Sequence, residues 1–227
     1  MNPTPKTPSS GIRLPRQPKA VVFDLDGTLI DSEALVLEAY MAAAARHGVP
    51  FTHNQFLSLV GKHRQASSAL MQQYFGDAFP LDAFYATVSE HIGDSNAPLK
   101  PGVATLLDRL DAAATPYALA TSSGPGWVAK HFRAHGLAGR FRGIVTREDV
   151  VNGKPHPEPY LKASTMLGRR PPDILAIEDS PTGVASAHAA GLMTIMIPDL
   201  IQPDVETRAR VLHVGKSLDD IMALLDA

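Results

Sequence analysis

Four short segments of this chain combine residue types that handle phosphate and divalent metal. In Asp24-Leu25-Asp26-Gly27-Thr28-Leu29 two carboxylates stand at i and i+2. In an extended segment that spacing puts both on one side of the backbone. Carboxylates held that close repel, so they need a cation, a shared proton or separate jobs. An aspartate can also attack phosphorus and carry the phosphoryl group itself. The plainer alternative is an Asx-type turn closing a strand. Ile177-Glu178-Asp179-Ser180 brings a second acid pair. Hard oxygen ligands from two such segments suit Mg²⁺, with waters and a substrate phosphate completing an octahedron. A helix beginning at Pro181 offers Asp179 the competing job of capping it. Thr121-Ser122-Ser123 presents hydroxyls and N–H groups at a strand-to-helix turn, a setting that suits a phosphate. In Gly153-Lys154-Pro155-His156-Pro157 a lysine is held in a loop ahead of a helix. It is either a solvated surface charge or the group that neutralises a phosphate and the acids around it.

The elements that must position these segments follow from hydrophobic spacing. Short apolar runs at 20–23, 117–120, 143–145, 174–177 and 193–197 have the composition of strands buried on both faces. Three of the four segments directly follow such a run. Helical spacing lies between the runs, at Val103, Leu106, Leu107 and Leu110, at Trp127, Val128, His131 and Phe132, and at Tyr160, Leu161, Ser164 and Leu167. A last helix carries Leu218, Ile221, Leu224 and Leu225. This alternation predicts an α/β fold, a Rossmann-like parallel sheet core with helices on both faces. Residues 33–98 break the pattern with helical segments at 33–47, 53–60, 64–75 and 81–92 and no strand. The expected organisation is a flexible Pro-rich tail over 1–18, a catalytic core over 19–32 and 99–227, and an inserted all-helical cap domain over 33–98. Ligands of open α/β sheets bind beyond the carboxyl ends of the strands. An insertion leaving from that edge lies over the site as a lid, hinged near Ser32–Glu33 and Asn96–Pro101.

Composition narrows the function. The chain has 227 residues and a net charge of −2, without the basic excess that a nucleic-acid or acidic-membrane binder needs. It has no cysteine, which excludes disulfides, thiol nucleophiles and thiolate metal sites. No apolar run has the length of a membrane span, about 18 residues or more. The tail has prolines at 3, 5, 8, 15 and 18 but no apolar stretch of the kind a secretory signal needs. A cytoplasmic protein, monomeric by default, is the expectation.

Taken together and in order, DxDGTL, TSS, GKPHPEPY and IEDSPTG resemble the four motifs of the haloacid dehalogenase superfamily, over essentially residues 19–227. The resemblance is to the branch with a helical cap after the first motif, which contains sugar-phosphate phosphatases, phosphoglycolate phosphatases and beta-phosphoglucomutase. It implies roles residue by residue. Asp24 would be the nucleophile, and Asp26 the acid and base. Thr121, helped by the N–H of Ser122, would bind phosphoryl oxygens. Lys154 would hold Asp24 and phosphate charge together. Asp24, Asp179, Glu178 and the backbone carbonyl of Asp26 would surround Mg²⁺. Dehalogenating members lack an acid two residues after the nucleophile, so Asp26 favours phosphoryl transfer from a small phosphorylated metabolite, a sugar or polyol phosphate. A mutase is the alternative. Gly61-Lys62-His63-Arg64 resembles the substrate loop of beta-phosphoglucomutase, with Arg64 at its phosphate-binding position and His63 placed for substrate contact. Val36 and Val60 replace a histidine and a lysine of that mutase, which favours the phosphatase. A non-catalytic phosphate-binding module is the alternative of another class, and none of the acids whose loss would mark one is lost. His131 and His135 have metal-ligand spacing but no third ligand; they and Trp127 are expected to pack, and His156 to be a loop residue.

Overall fold

A computed structural model describes residues 14–59 and 64–225. Six parallel strands, β1 (Ala20–Phe23), β2 (Tyr117–Ala120), β3 (Gly143–Val145), β4 (Ile174–Glu178), β5 (Met193–Met196) and β6 (His213–Val214), form one sheet in the order β3-β2-β1-β4-β5-β6. β1 therefore sits in the middle, with Val22 level with Ala118 of β2 on one side and Ala176 of β4 on the other. The chain winds outward from β1 in one direction, then crosses back to wind in the other. That reversal opens a crevice at the carboxyl ends of β1, β2 and β4.

The period-2 alternation of β1 separates two cores. Val21 and Phe23 face an apolar layer built with α5 (Val103–Ala112), α6 (Pro125–Ala134) and α10 (Leu218–Leu225). Ala20 and Val22 face α7 (Glu158–Leu167) and α8 (Pro181–Ala189). On the second face the sheet offers small side chains, among them Ala118, Ala120 and Ala176, which lets the helices pack close to it. The remaining core helix, α9 (Val205–Arg210), has its N-cap in Asp204, whose carboxylate accepts the Thr207 N–H at 2.7 Å.

Between β1 and α5 lie α1 (Ser32–Arg46), α2 (His53–Leu59), α3 (Arg64–Phe75) and α4 (Leu81–Asp94). These are the four expected helical segments; the ends of α1 and α4 differ from the expected ones by two residues at most, and the expected end of the second segment at residue 60 lies outside the described residues. They enclose their own apolar cluster, in which Tyr40 and Phe84 meet edge to face at 5.6 Å. The two passages between helical unit and sheet run side by side. Ile30 pairs antiparallel with Leu99, Asp31 donates its N–H to the Pro98 carbonyl at 2.8 Å, and Lys100 donates to the Leu29 carbonyl at 2.9 Å. Lys100 Nζ also binds Asp199 at 2.7 Å and lies 3.5 Å from Asp31. The tail expected over 1–18 falls largely outside the described residues. Within the part described, Arg16 pairs with Asp173 at 3.3 Å. No helix among the described residues is long and apolar enough to cross a membrane.

Candidate active site

β1, β2 and β4 end at the same level, and each delivers its polar residues there. Asp24 follows β1 directly and donates its backbone N–H to the Ile177 carbonyl at 3.1 Å, which locks the two acid-bearing strand ends together. Gly27 then turns the chain with φ at 81°. A side chain on it would collide with the Asp179 carboxylate, so glycine is what lets the two loops close on each other. After β2, Thr121 is buried; its Oγ1 accepts the Ser123 N–H at 3.0 Å, a local turn that leaves Ser122 on the cleft side. A cleft of about 340 Å³ over these ends takes in Asp24, Asp26, Thr121, Ser122, Lys154 and Asp179.

The centre of the cluster is Lys154. Its Nζ donates to Asp24 Oδ1 and to Glu178 Oε1, each at 2.5 Å. Its side chain is 5% exposed, so the surface-charge reading of this lysine is set aside. Burial works against its charge, but Asp24 and Glu178 outweigh that and hold its pKa above the usual lysine value. Glu178 is fully buried. Its Oε1 also accepts from the Tyr160 hydroxyl at 2.5 Å, and its Oε2 accepts from Ser180 Oγ at 3.2 Å. The Lys154 ammonium lies 5.2 Å from the centre of the Tyr160 ring. Gly183 brings α8 against this carboxylate: a Cβ there would overlap it. Ser180 caps α8, accepting the Gly183 N–H at 3.1 Å. The capping role that competes for Asp179 is therefore taken by its neighbour.

Asp24 and Glu178 pair with this ammonium, and Asp179 stands beside them without a direct bond to it. Asp24, Glu178 and Asp179 each present an oxygen within 4.8 Å of the others. Burial pushes the Asp24 carboxyl up to about 7, with Glu178 and Asp26 adding to it and Lys154 opposing. Burial, then Asp24 and Glu178, push Asp179 up to about 9. A surplus of buried negative charge on hard oxygen donors fits a divalent cation.

Asp26 is held from both sides. Ser123 Oγ donates to its Oδ2 at 2.6 Å, and Trp127 Nε1 donates to its Oδ1 at 2.9 Å. The spacing of Trp127 predicts a packing residue; it is also a hydrogen-bond donor to the site. His131 and His135 do not form a metal pair. His131 Nε2 accepts the Ala97 N–H at 3.1 Å, and His135 Nε2 donates to the Ala97 carbonyl at 2.7 Å. His156 Nδ1 accepts the Glu158 N–H at 3.2 Å, a local loop contact. Glu33 and Asp199 line the cleft as well. Burial raises the pKa of Glu33, and Asp199 and Asp26 add to that. Ser123, Tyr160 and Gly183 lie within the quoted motifs without a role assigned to them, and sequence spacing does not single out Glu33 or Asp199. Tyr160 sits on an ordinary apolar stripe, and no local pattern links it to Glu178. In the helical unit, His63 lies outside the described residues, as do Lys62 and the side chain of Arg64.

A doubly wound sheet with a lysine-bridged carboxylate cluster at its reversal point defines an α/β enzyme of the phosphoryl-transfer kind. Residues 21–197 match the model of the haloacid dehalogenase-like hydrolases. The chain is 34% identical over 182 residues to hexitol phosphatase A of Escherichia coli, covering 79% of this chain and 82% of that one. It is 30% identical over 212 residues to the phosphorylated carbohydrates phosphatase of Thermotoga maritima, covering 92% and 91%. A hydrolase from Deinococcus radiodurans, solved with phosphate and sodium bound, superposes with a TM-score of 0.78 at 28% identity, covering 92% of this chain and 95% of that one. The chain belongs to the haloacid dehalogenase-like hydrolases, and it is a phosphatase.

Proposed function

We propose that this enzyme hydrolyses a small phosphorylated metabolite, a sugar or polyol phosphate, through a phosphoryl group carried on Asp24. The observation that carries the reading is the Lys154 ammonium at 2.5 Å from both Asp24 and Glu178 in a buried cluster. It holds the Asp24 carboxylate in place at the cleft while supplying charge for an incoming phosphate. In the first half-reaction an Asp24 oxygen bonds to phosphorus as the bond to the leaving oxygen breaks. Asp26 passes its proton to that oxygen. In the second, Asp26 takes a proton from water, the water oxygen bonds to phosphorus, and the Asp24–phosphorus bond breaks. Thr121 Oγ1 and the Ser122 N–H bind the phosphoryl oxygens. Mg²⁺, held by Asp24, Asp179, Glu178 and the Asp26 carbonyl, supplies the charge that lets a phosphate approach a carboxylate. The sugar or polyol class is supported by the names of the two phosphatase relatives. Residues 33–98 act as the cap over the cleft and choose the substrate, with His63 and Arg64 as contacts.

The test is phosphate release from sugar phosphates, polyol phosphates, phosphoglycolate and nucleotides with Mg²⁺. Release from the sugar or polyol group, abolished by EDTA and in Asp24→Asn, is the expected result. Silence across the panel overturns the reading, and turnover of beta-glucose 1-phosphate with its 1,6-bisphosphate would replace it by a mutase.

A further inference from the structure

We infer that Trp127 is a positioning residue for Asp26, and that its indole N–H decides which carboxylate oxygen carries the transferred proton. The inference rests on the proposed acid–base role of Asp26. Trp127 lies in the first turn of α6, and its Nε1 donates to Asp26 Oδ1 at 2.9 Å. Ser123 Oγ donates to the other oxygen, Oδ2, at 2.6 Å. The two donors differ in kind. An indole N–H can only donate, whereas a serine hydroxyl both donates and accepts. A protonated carboxyl group has one oxygen that donates and one that accepts. Opposite a permanent donor, Oδ1 must be the accepting oxygen, so the proton resides on Oδ2. Ser123 tolerates both states, donating to the carboxylate and turning aside once Oδ2 bears a proton. Trp127 therefore fixes the plane of the carboxyl group and its polarity, and Ser123 is the partner that gives way.

The indole is itself anchored. The His131 ring lies 4.0 Å from it, centre to centre, and Lys130 Nζ lies 5.6 Å from its centre. His131 Nδ1 donates to the Trp127 carbonyl at 3.0 Å, while its Nε2 accepts from Ala97. Lys130 Nζ donates to the carbonyls of Ile92 at 2.6 Å and Gly93 at 2.9 Å, and also to that of Ser95. One helix thus grips the chain returning from α4 and aims the Asp26 carboxyl. In the first half-reaction the Oδ2 proton passes to the leaving oxygen as its bond to phosphorus breaks. In the second, a proton from water returns to Oδ2 as the water oxygen bonds to phosphorus and the Asp24–phosphorus bond breaks.

The experiment exploits Trp127 being the only tryptophan of the chain. Biosynthetic replacement of tryptophan by benzothienylalanine exchanges its N–H for sulfur and keeps the bicyclic shape; Trp127→Phe is the genetic counterpart. Release of the leaving group is followed in single turnovers, with whichever alkyl phosphate the unmodified enzyme cleaves fastest and with p-nitrophenyl phosphate. An alkoxide needs the proton and a nitrophenolate does not. General acid catalysis contributes about 10²–10⁴-fold, and misaiming the acid forfeits part of it, so alkyl phosphate cleavage falls about tenfold or more while nitrophenolate release stays within about threefold. Equal loss with both substrates, or loss with neither, overturns the assignment. Asp26→Asn run in parallel separates the two levels. If it fails to discriminate between the leaving groups, the acid role of Asp26 falls, and the inference with it. If Asp26→Asn discriminates and the Trp127 replacements do not, only the inference falls.

Discussion

Glu178 is fully buried, and its carboxylate accepts from the Lys154, Tyr160 and Ser180 side chains and from the Ser180 N–H. Tyr160→Phe removes one donor from this buried carboxylate, and leaving such a group short of a partner costs about 1–3 kcal/mol. Chemical denaturation should show that loss at neutral pH; an unchanged midpoint would mean the tyrosine hydroxyl is idle. Gly183→Ala makes a sharper test because two effects oppose. Helix propensity alone favours alanine over glycine by up to about 1 kcal/mol. The Glu178 carboxylate occupies the space the new methyl needs. The variant should therefore be less stable than the parent and less active, and a gain in stability would refute the contact. These two residues also mark where reading the sequence stops. Asp24, Asp26, Glu178 and Asp179 are legible as acid pairs at strand ends, and Lys154 as a lysine held between a glycine and a proline ahead of α7. Tyr160 and Gly183 close two of the quoted motifs, but their contacts with Glu178 arise only where α7 and α8 converge on β4.

At the scale of elements, α6 does more than its apolar stripe declares. Val128 and Phe132 face the sheet as their spacing predicts. The polar positions between them bind the chain that returns from α4. His131 is fully buried. Burial lowers its pKa below the ordinary 6.5, with the Trp127 carbonyl opposing. Its Nε2 must stay unprotonated to accept the Ala97 N–H. Above the unfolded-state pKa, near 6.5, both states hold a neutral ring and the full stability is present. As the pH falls below that, the unfolded chain binds the proton first, so stability declines until the folded-state pKa is passed, with a slope of at most about 1.4 kcal/mol per pH unit. Unfolding free energies between pH 7.5 and 5 should show this decline, and it should be shallower in His131→Gln. Equal slopes would exclude His131 as its source. The strands were legible as apolar runs except β6, whose two half-buried residues make no run at all. α9 was equally silent, since its six residues are too few for a helical stripe.

For the whole molecule, the order of strands and helices could be read from alternation, and the helical insertion from the interruption of it. How the two passages of chain meet could not, because Ile30 and Leu99 are distant in sequence and adjacent in space. We expect the orientation of α1–α4 against the sheet to differ between crystals grown without ligand and crystals holding a phosphate analogue; the same orientation in both would count against a moving cap. The paired passages constrain that motion. A single tether would leave the helical unit free to twist and swing in every direction. Two tethers bonded to each other, with Lys100 bridging Asp31 and Asp199, behave as a ribbon, stiff within its plane and compliant across it. A cap moving on such a joint would swing mainly about one axis, and its residues would meet the strand ends in one register.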